Sequence, residues 1–344
     1  MPDPRLDIDS FIAGLPKVEL HVHLVGSASV PTVIELARRH PDCGVPTDAA
    51  ELRSLYEFTD FAHFIRVYIA VNALIRTPED LTALTYGTAR DLASQNVRYA
   101  EITVTPDSHL LMGIKPEAIG PALTDARNQA RTDFGIELGW IFDIPGELGL
   151  ESGERTADWV ERFAPEGSVG FGLGGPELGV SRAQFADVFA RARALGLASV
   201  PHAGETTGPE TIWESIRLLG ARRIGHGITA LQDPDLVSYL AAHDVTLDMC
   251  PTSNLRTRAV TTLAEHPLPA LLRSGVSVTL NSDDPGMFAT TLNSEFAVAH
   301  HQFGMDAGRL ADLARTAARA SFCAEHLRRR ILADIDAYTA GAEV

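Results

Sequence analysis

The feature that most constrains this chain is an alternation of two kinds of segment, repeated along most of its length. Short β-branched and apolar runs, Val18–Leu24, Val97–Val104, Ile136–Phe142, Val169–Leu173, Ala198–His202, Arg223–Gly225, Val245–Met249 and Val276–Leu280, read as eight strands. Most are separated by helical patterns with their own start and stop signals. Thr77-Pro78-Glu79-Asp80 sets a cap, a proline in the first turn and two acids ahead of Leu81. Ser181 opens a helix in which Phe185, Val188, Phe189 and Ala192 share a face, and Gly196 closes it. Pro209 and Pro234 start two more, and Pro267 a short one. Strands alternating with helices form right-handed βαβ units and a parallel sheet. Eight such units predict an α/β fold closed into a single (β/α)₈ TIM-type barrel. The stretch from Ser29 to Gln95 exceeds one crossover, which predicts extra helices after the first strand, covering one mouth of the barrel. Further helices follow the last strand, over residues 306–339.

A chain of 344 residues holds one such barrel with insertions. Apolar residues make up 45% and charged residues 22%, which excludes a disordered chain. Lys and Arg total 29 against 45 Asp and Glu, a net charge of −16. That surface repels phosphate backbones and anionic lipid, so neither nucleic acid nor a membrane is expected as a partner. No apolar run approaches the ~18 residues of a membrane span. The opening MPDPRLDIDS has no signal core, and Cys43, Cys250 and Cys323 are too scattered for a disulfide framework. A cytoplasmic protein is expected.

A barrel of this kind builds its site at the carboxyl ends of its strands. In Lys17–Leu24, alternation puts His21 and His23 on one face and Val18, Leu20, Val22 and Leu24 on the other. The apolar set packs outward against helices, so the two imidazoles point into the barrel, where such a pair suits a divalent metal. Three later strands end in polar clusters: His202-Ala203-Gly204-Glu205, Gly225-His226-Gly227 and Asn281-Ser282-Asp283-Asp284. Adjacent aspartates at a strand end diverge, so one can bind metal while the other faces a substrate. Three histidines and one aspartate form an N₃O set open to water, the pattern of a catalytic zinc. His40, His63, His109, His243, His266, His300, His301 and His326 lie mostly in helical or loop segments and read as solvated or structural. Gly170, Gly172 and Gly175 match a dinucleotide-type glycine pattern, but Pro176 follows and no helix opens at once.

Taken together, PKVELHVHLVGS, HAGE, RIGHG, CPTSN and NSDDP, in this order over residues 16–285, resemble the adenosine deaminase family of the amidohydrolase superfamily. The resemblance implies one metal-dependent deaminase domain over 1–344, with the barrel at about 17–300 and C-terminal helices at about 306–339. It implies one Zn²⁺ per chain, held by His21, His23, His202 and Asp283. It further implies that Glu205 protonates the purine N1 and that His226 sits beside the activated water. Asp284 would meet N7, and the Gly175 backbone N–H would meet N3. Zinc lowers the pKa of a bound water from 15.7 to about 7. Attack at C6 sends electrons onto N1, so Glu205 has to carry a proton, which burial favours. His226 can accept the water's proton, steer it or stabilise it electrostatically. Two-metal relatives in the superfamily bridge their ions with a carboxylated lysine. Neither Lys17 nor Lys115 is placed for that, so one metal is expected.

The expected partner is a small-molecule 6-aminopurine nucleoside; homo-oligomerisation is left open. Adenosine deaminases usually carry an acidic residue, which holds the sugar 5′-hydroxyl, where this chain has Val25. Losing a charge-assisted contact costs about 1.5–3 kcal/mol, roughly ten- to a hundred-fold in affinity. Val25, with Ser27 beside it, therefore points to a nucleoside with an apolar 5′ extension. HLVGS, GFGLGGPE and HAGETTGPETIW resemble the aminodeoxyfutalosine deaminases of the futalosine route to menaquinone, whose substrate bears a benzoate there. Arg66 and Arg76 are candidates to pair with that carboxylate. Gly172 departs from the family, which often has an aspartate at this position. The alternatives are deamination of adenosine or 2′-deoxyadenosine in purine salvage, deamination of free adenine, metal-dependent lactone hydrolysis, and a zinc-binding scaffold without activity. Glu205 and His226 are not needed merely to hold zinc, and a lactone has no ring nitrogens for Glu205 and Asp284 to engage.

Overall fold

The computed structural model describes residues 7–341, so most of the opening segment read for a signal core lies outside the described residues. Eight strands form one sheet in chain order: β1 (Lys17–His23), β2 (Val97–Val104), β3 (Glu137–Pro145), β4 (Ser168–Gly174), β5 (Ala198–Ala203), β6 (Arg223–His226), β7 (Thr246–Met249) and β8 (Val278–Leu280). Every neighbouring pair is parallel. The ring closes just beyond β8. There the Asp283 N–H donates to the His21 carbonyl and the His23 N–H donates to the Asp283 carbonyl, each at 2.9 Å. The seam of the barrel is thus built from candidate metal ligands.

The period-two pattern of β1 works as expected. Val18, Leu20 and Val22 are fully buried in the apolar core, and His21 is buried on the inner face. Helices Pro78–Ala93, Pro116–Phe134, Gly149–Phe163, Pro209–Leu219 and Pro234–Ala242 connect successive strands. Thr77 and Asp80 form a reciprocal capping box at the first of these. The segment after β1 folds into Val30–Arg39, Ala49–Leu55 and Phe61–Asn72 ahead of that crossover helix. Phe61–Asn72 lies over the mouth of the barrel, where Phe64, Ile65, Tyr68 and Ile69 face the interior cleft. After β8 come Leu292–Phe303, Ala307–Ala320 and Glu325–Gly341.

The segment opened by Ser181 differs from the sequence reading. It starts as a 3₁₀ turn, Arg182–Phe185, and becomes α-helical only over Ala186–Ala194. At its start Arg182 is buried, and its guanidinium donates to the Val180 carbonyl at 2.8 Å and the His202 carbonyl at 3.0 Å. Inside the barrel a second buried arginine, Arg223, lies 2.7 Å from Glu101 and 2.9 Å from Asp248. Among the described residues, no helix is long and apolar enough to cross a membrane.

Candidate active site

At the carboxyl ends of β1, β5 and β8, one nitrogen each from His21, His23 and His202 and one Asp283 oxygen lie within 4.8 Å of one another. His23 Nε2 is 3.1 Å from His202 Nε2, and Asp283 Oδ1 is 3.3 Å from both His21 Nε2 and His23 Nε2. Four ligands at about 2.0–2.1 Å around a tetrahedral ion stand roughly 3.3 Å apart, so these separations fit a zinc-sized cation. His21 Nε2 is buried and has no hydrogen-bond partner, an orphaned lone pair that a cation satisfies. The ligands are oriented from behind. His202 Nδ1 lies 2.9 Å from the Leu173 carbonyl, which makes it the donor and frees Nε2, and Ser253 Oγ donates to Asp283 Oδ2 at 2.5 Å. Asp283 and His226 both have φ of 63°, the left-handed region where a side chain costs energy.

Glu205 follows β5 and is buried beside this cluster. Its Oε1 accepts from Thr257 Oγ1 at 3.1 Å and more weakly from Asn254 Nδ2 at 3.5 Å, while Oε2 lies 3.6 Å from His226 Nε2. Burial first of all raises its pKa, and of its two oxygens Oε2 is the one that accepts no hydrogen bond from Thr257 or Asn254. The loop that carries it is organised by Glu177, a residue the sequence reading did not single out. One Glu177 oxygen, Oε2, accepts the backbone N–H groups of Glu205, Thr206 and Thr207 at 3.1, 2.9 and 3.0 Å, and the Thr207 hydroxyl at 2.8 Å. Its other oxygen faces Arg182 at 3.4 Å.

The Asp284 side chain lines the cleft close to the Asp283 carboxylate, with Oδ1 unpartnered. Burial, then the neighbouring Asp283 carboxylate, pushes its pKa well up. Gly26 makes room for it, since a Cβ there would sit 1.7 Å from Asp284 Oδ1. Gly175 also lines the cleft. Beside Gly172, where the family's aspartate is missing, the register partner on β3 is Asp143. Its carboxyl enters the same cleft, accepts from Thr105 Oγ1 at 2.6 Å and is pushed up to about 6, mainly by burial. β3 runs three residues past the predicted Phe142, and that extension carries Asp143 into place.

The cleft opens to solvent. Its outer wall is apolar, built by Phe64, Ile65, Tyr68, Ile69 and Phe288. Four sequence-based candidates do not reach it. Arg66 is exposed and does not line the cleft, although its helix neighbours Ile65 and Ile69 do. Arg76 is engaged elsewhere, donating to Asp42 at 2.8 Å and to the Ala73 carbonyl at 3.2 Å. Val25 is buried in the apolar core, so the wall expected from it comes instead from the mouth-covering helix. Ser27 donates to the Leu24 carbonyl at 2.8 Å and contacts Thr88 Oγ1 at 2.8 Å, which makes it a turn-stabilising residue. Neither lysine is near the metal cluster in the way a bridging ligand must be: Lys17 Nζ is buried between the Ile12 and Leu15 carbonyls, at 2.6 Å from each.

Comparison with known proteins gives a consistent picture. The family model described as "Adenosine deaminase" matches residues 16–338. An aminodeoxyfutalosine deaminase of Streptomyces avermitilis is 57% identical over 336 residues, covering 97% of this chain and 94% of that one. An adenine deaminase of Streptomyces coelicolor is 36% identical, covering 94% of this chain and 96% of that one. Among solved structures, an adenine deaminase from Arthrobacter aurescens superposes with a TM-score of 0.90 at 32% identity, covering 95% of this chain and 100% of that one.

Proposed function

The chain belongs to the adenosine deaminase family, and from that premise we propose that it hydrolyses 6-amino-6-deoxyfutalosine to its 6-oxo product and ammonia, within menaquinone synthesis. The observation that carries this reading is the 57% identity, over 97% of the chain, to a relative with that activity. Identity to the adenine deaminase is 36%, well below the 57% to the aminodeoxyfutalosine deaminase. The apolar wall of Phe64, Ile65, Tyr68 and Ile69 suits the aromatic ring of a 5′ extension.

His21, His23, His202 and Asp283 would hold one Zn²⁺. When bound, the metal supplies a water activated for attack at neutral pH. Glu205 delivers the Oε2 proton to purine N1 as the C6–N1 electron pair moves onto N1, which makes C6 electrophilic. Asp284, with its raised pKa, donates through Oδ1 to N7, and the Gly175 backbone N–H faces N3. His226 Nε2, 3.6 Å from Glu205 and 3.9 Å from Asp283, borders the place where oxygen joins C6. The C6–amino bond then breaks; the nitrogen takes one proton of the attacking water and leaves as ammonia, and the water's other proton returns Glu205 to its acid form. Phe64, Tyr68 and Phe288 keep bulk water from the reacting face.

The test is a deamination panel on zinc-loaded protein: aminodeoxyfutalosine, adenosine, 2′-deoxyadenosine, 5′-methylthioadenosine and adenine. Purine absorbance and ammonia release are both followed. A kcat/KM for aminodeoxyfutalosine about a hundred-fold above adenosine is expected from the lost 5′-hydroxyl contact. Preference for adenosine would assign the protein to purine salvage, and preference for adenine would make it a base deaminase.

A further inference from the structure

Asn254, in the CPTSN motif, and His266, which the sequence reading set aside as structural, form a hydrogen-bonded line that ends on His226. All three side chains are buried, at 0%, 4% and 1% exposure. The line has a fixed direction because it starts at a backbone group. The Leu268 N–H, one of the free donors at the start of helix Leu268–Arg273, points at His266 Nδ1 at 3.3 Å. A backbone N–H can only donate, so His266 Nδ1 must be the acceptor. Burial pulls His266 down to about 4, so it is neutral at physiological pH and carries its single proton on Nε2. That nitrogen lies 3.1 Å from Asn254 Oδ1 and donates to it. The Asn254 amide is thereby oriented with its NH₂ toward His226 Nδ1, 3.1 Å away, and toward Glu205 Oε1 at 3.5 Å.

We propose that His266 and Asn254 are positioning residues that hold the His226 ring with Nδ1 as acceptor and Nε2–H as donor, with that N–H aimed at the reacting oxygen. The same Asn254 amide offers its second N–H to Glu205 Oε1 and leaves Oε2 to carry the acidic proton. One amide thus sets the proton positions of two groups that face the substrate. With Nδ1 accepting from Asn254, His226 has no lone pair on Nε2. It acts as a hydrogen-bond donor to the attacking oxygen, and the base function is left to another group. The inference rests on the deaminase reading only for what His226 Nε2 faces.

The tautomer can be read without turnover. In zinc-loaded protein labelled with ¹⁵N-histidine, and assigned against His226→Gln, His226 should show a pyridine-type Nδ1 and a pyrrole-type Nε2. Asn254→Asp replaces the donor with an acceptor and should shift the proton of His226 to Nδ1. It should also lower kcat on the order of 10²- to 10⁴-fold with KM little changed, as expected when an imidazole is held in the wrong tautomer. His266→Gln keeps an N–H for Asn254 Oδ1 and should retain the Nε2–H signature and most of kcat, whereas His266→Ala should lose both. A native His226 protonated on Nδ1 overturns the proposal, whether or not the variants fold. A reversed tautomer in Asn254→Asp with unchanged kcat overturns instead the role of His226 on which the proposal rests.

Discussion

Replacing Glu177 by glutamine tests how the loop bearing Glu205 is held. The substitution keeps the shape of the side chain and changes only which groups can accept. In the native protein one oxygen receives three backbone N–H groups and a threonine hydroxyl, and the other faces the guanidinium of Arg182. An amide cannot satisfy both sides. If its oxygen faces the loop, its NH₂ points at Arg182; if it flips, the NH₂ points at three N–H donors. Breaking a buried ion pair from one side typically costs 3–5 kcal/mol. Arg182 retains the Val180 and His202 carbonyls, which places this site at the low end, about 3 kcal/mol. Unfolding entropy of about 2.1 cal/mol/K per residue over 344 residues makes that a fall in Tm of about 4 °C. The loosened loop also lets Glu205 drift, and a displacement of about 1 Å at a reacting group costs on the order of a hundred-fold in rate. Calorimetry, metal analysis and steady-state kinetics on the same preparation check all three quantities. Metal content should be unchanged, since His202 lies on β5 itself and the other ligands on different strands. A Tm within about 1 °C of the native value, together with an unchanged kcat, would refute the reasoning.

Three further outcomes are expected. Glu205→Gln should keep metal and fold but lose about 10²- to 10⁴-fold in kcat; near-native turnover in metal-replete protein would remove Glu205 from the reaction. Because burial raises the pKa of Glu205 and its acidic form is the one that acts, kcat should fall on the alkaline side, as pH rises through that pKa; in Glu205→Gln this limb of the profile should be gone. Arg223→Met strands the buried carboxylates of Glu101 and Asp248 and should cost about 3–5 kcal/mol, seen as a Tm lower by roughly 4–7 °C. Removal of metal by a chelator should lower Tm by the linkage free energy of the site, and added Zn²⁺ should restore it; a Tm indifferent to both would mean that the His21, His23, His202 and Asp283 cluster holds no ion.

Much of this protein can be read from its sequence because strand and helix periods are local. The alternation in Val18–Leu24 determines which side chains face inward, and eight strand-helix units closing with right-handed crossovers leave little choice but a barrel. His21 and His23 stand out because strand ends in a barrel are where ligands gather, whereas the choice of His202 and Asp283 to complete the set rested on the resemblance to the adenosine deaminase family. Tertiary structure decided what lies around them. Glu177 lies in GFGLGGPE and Asn254 in CPTSN, so their places are marked in the sequence, but what they do, like the roles of Asp143 and His266, depends on partners remote in the chain; His266 reaches His226 through Asn254 only because the segment after β7 folds over the end of β6. The arginine candidates failed for the complementary reason. A residue's position in a mouth-covering segment does not reveal which face of its helix it occupies or which acid is closer, and Arg76 met Asp42 before it could meet a ligand. Val25 was informative through the group it lacks, whereas its side chain turned into the core and the cleft wall came from Phe64, Ile65, Tyr68 and Ile69. Local period and residue chemistry determine the barrel and its metal-binding cluster; proton positions and the shape of the cleft depend on side chains that meet only when the barrel closes.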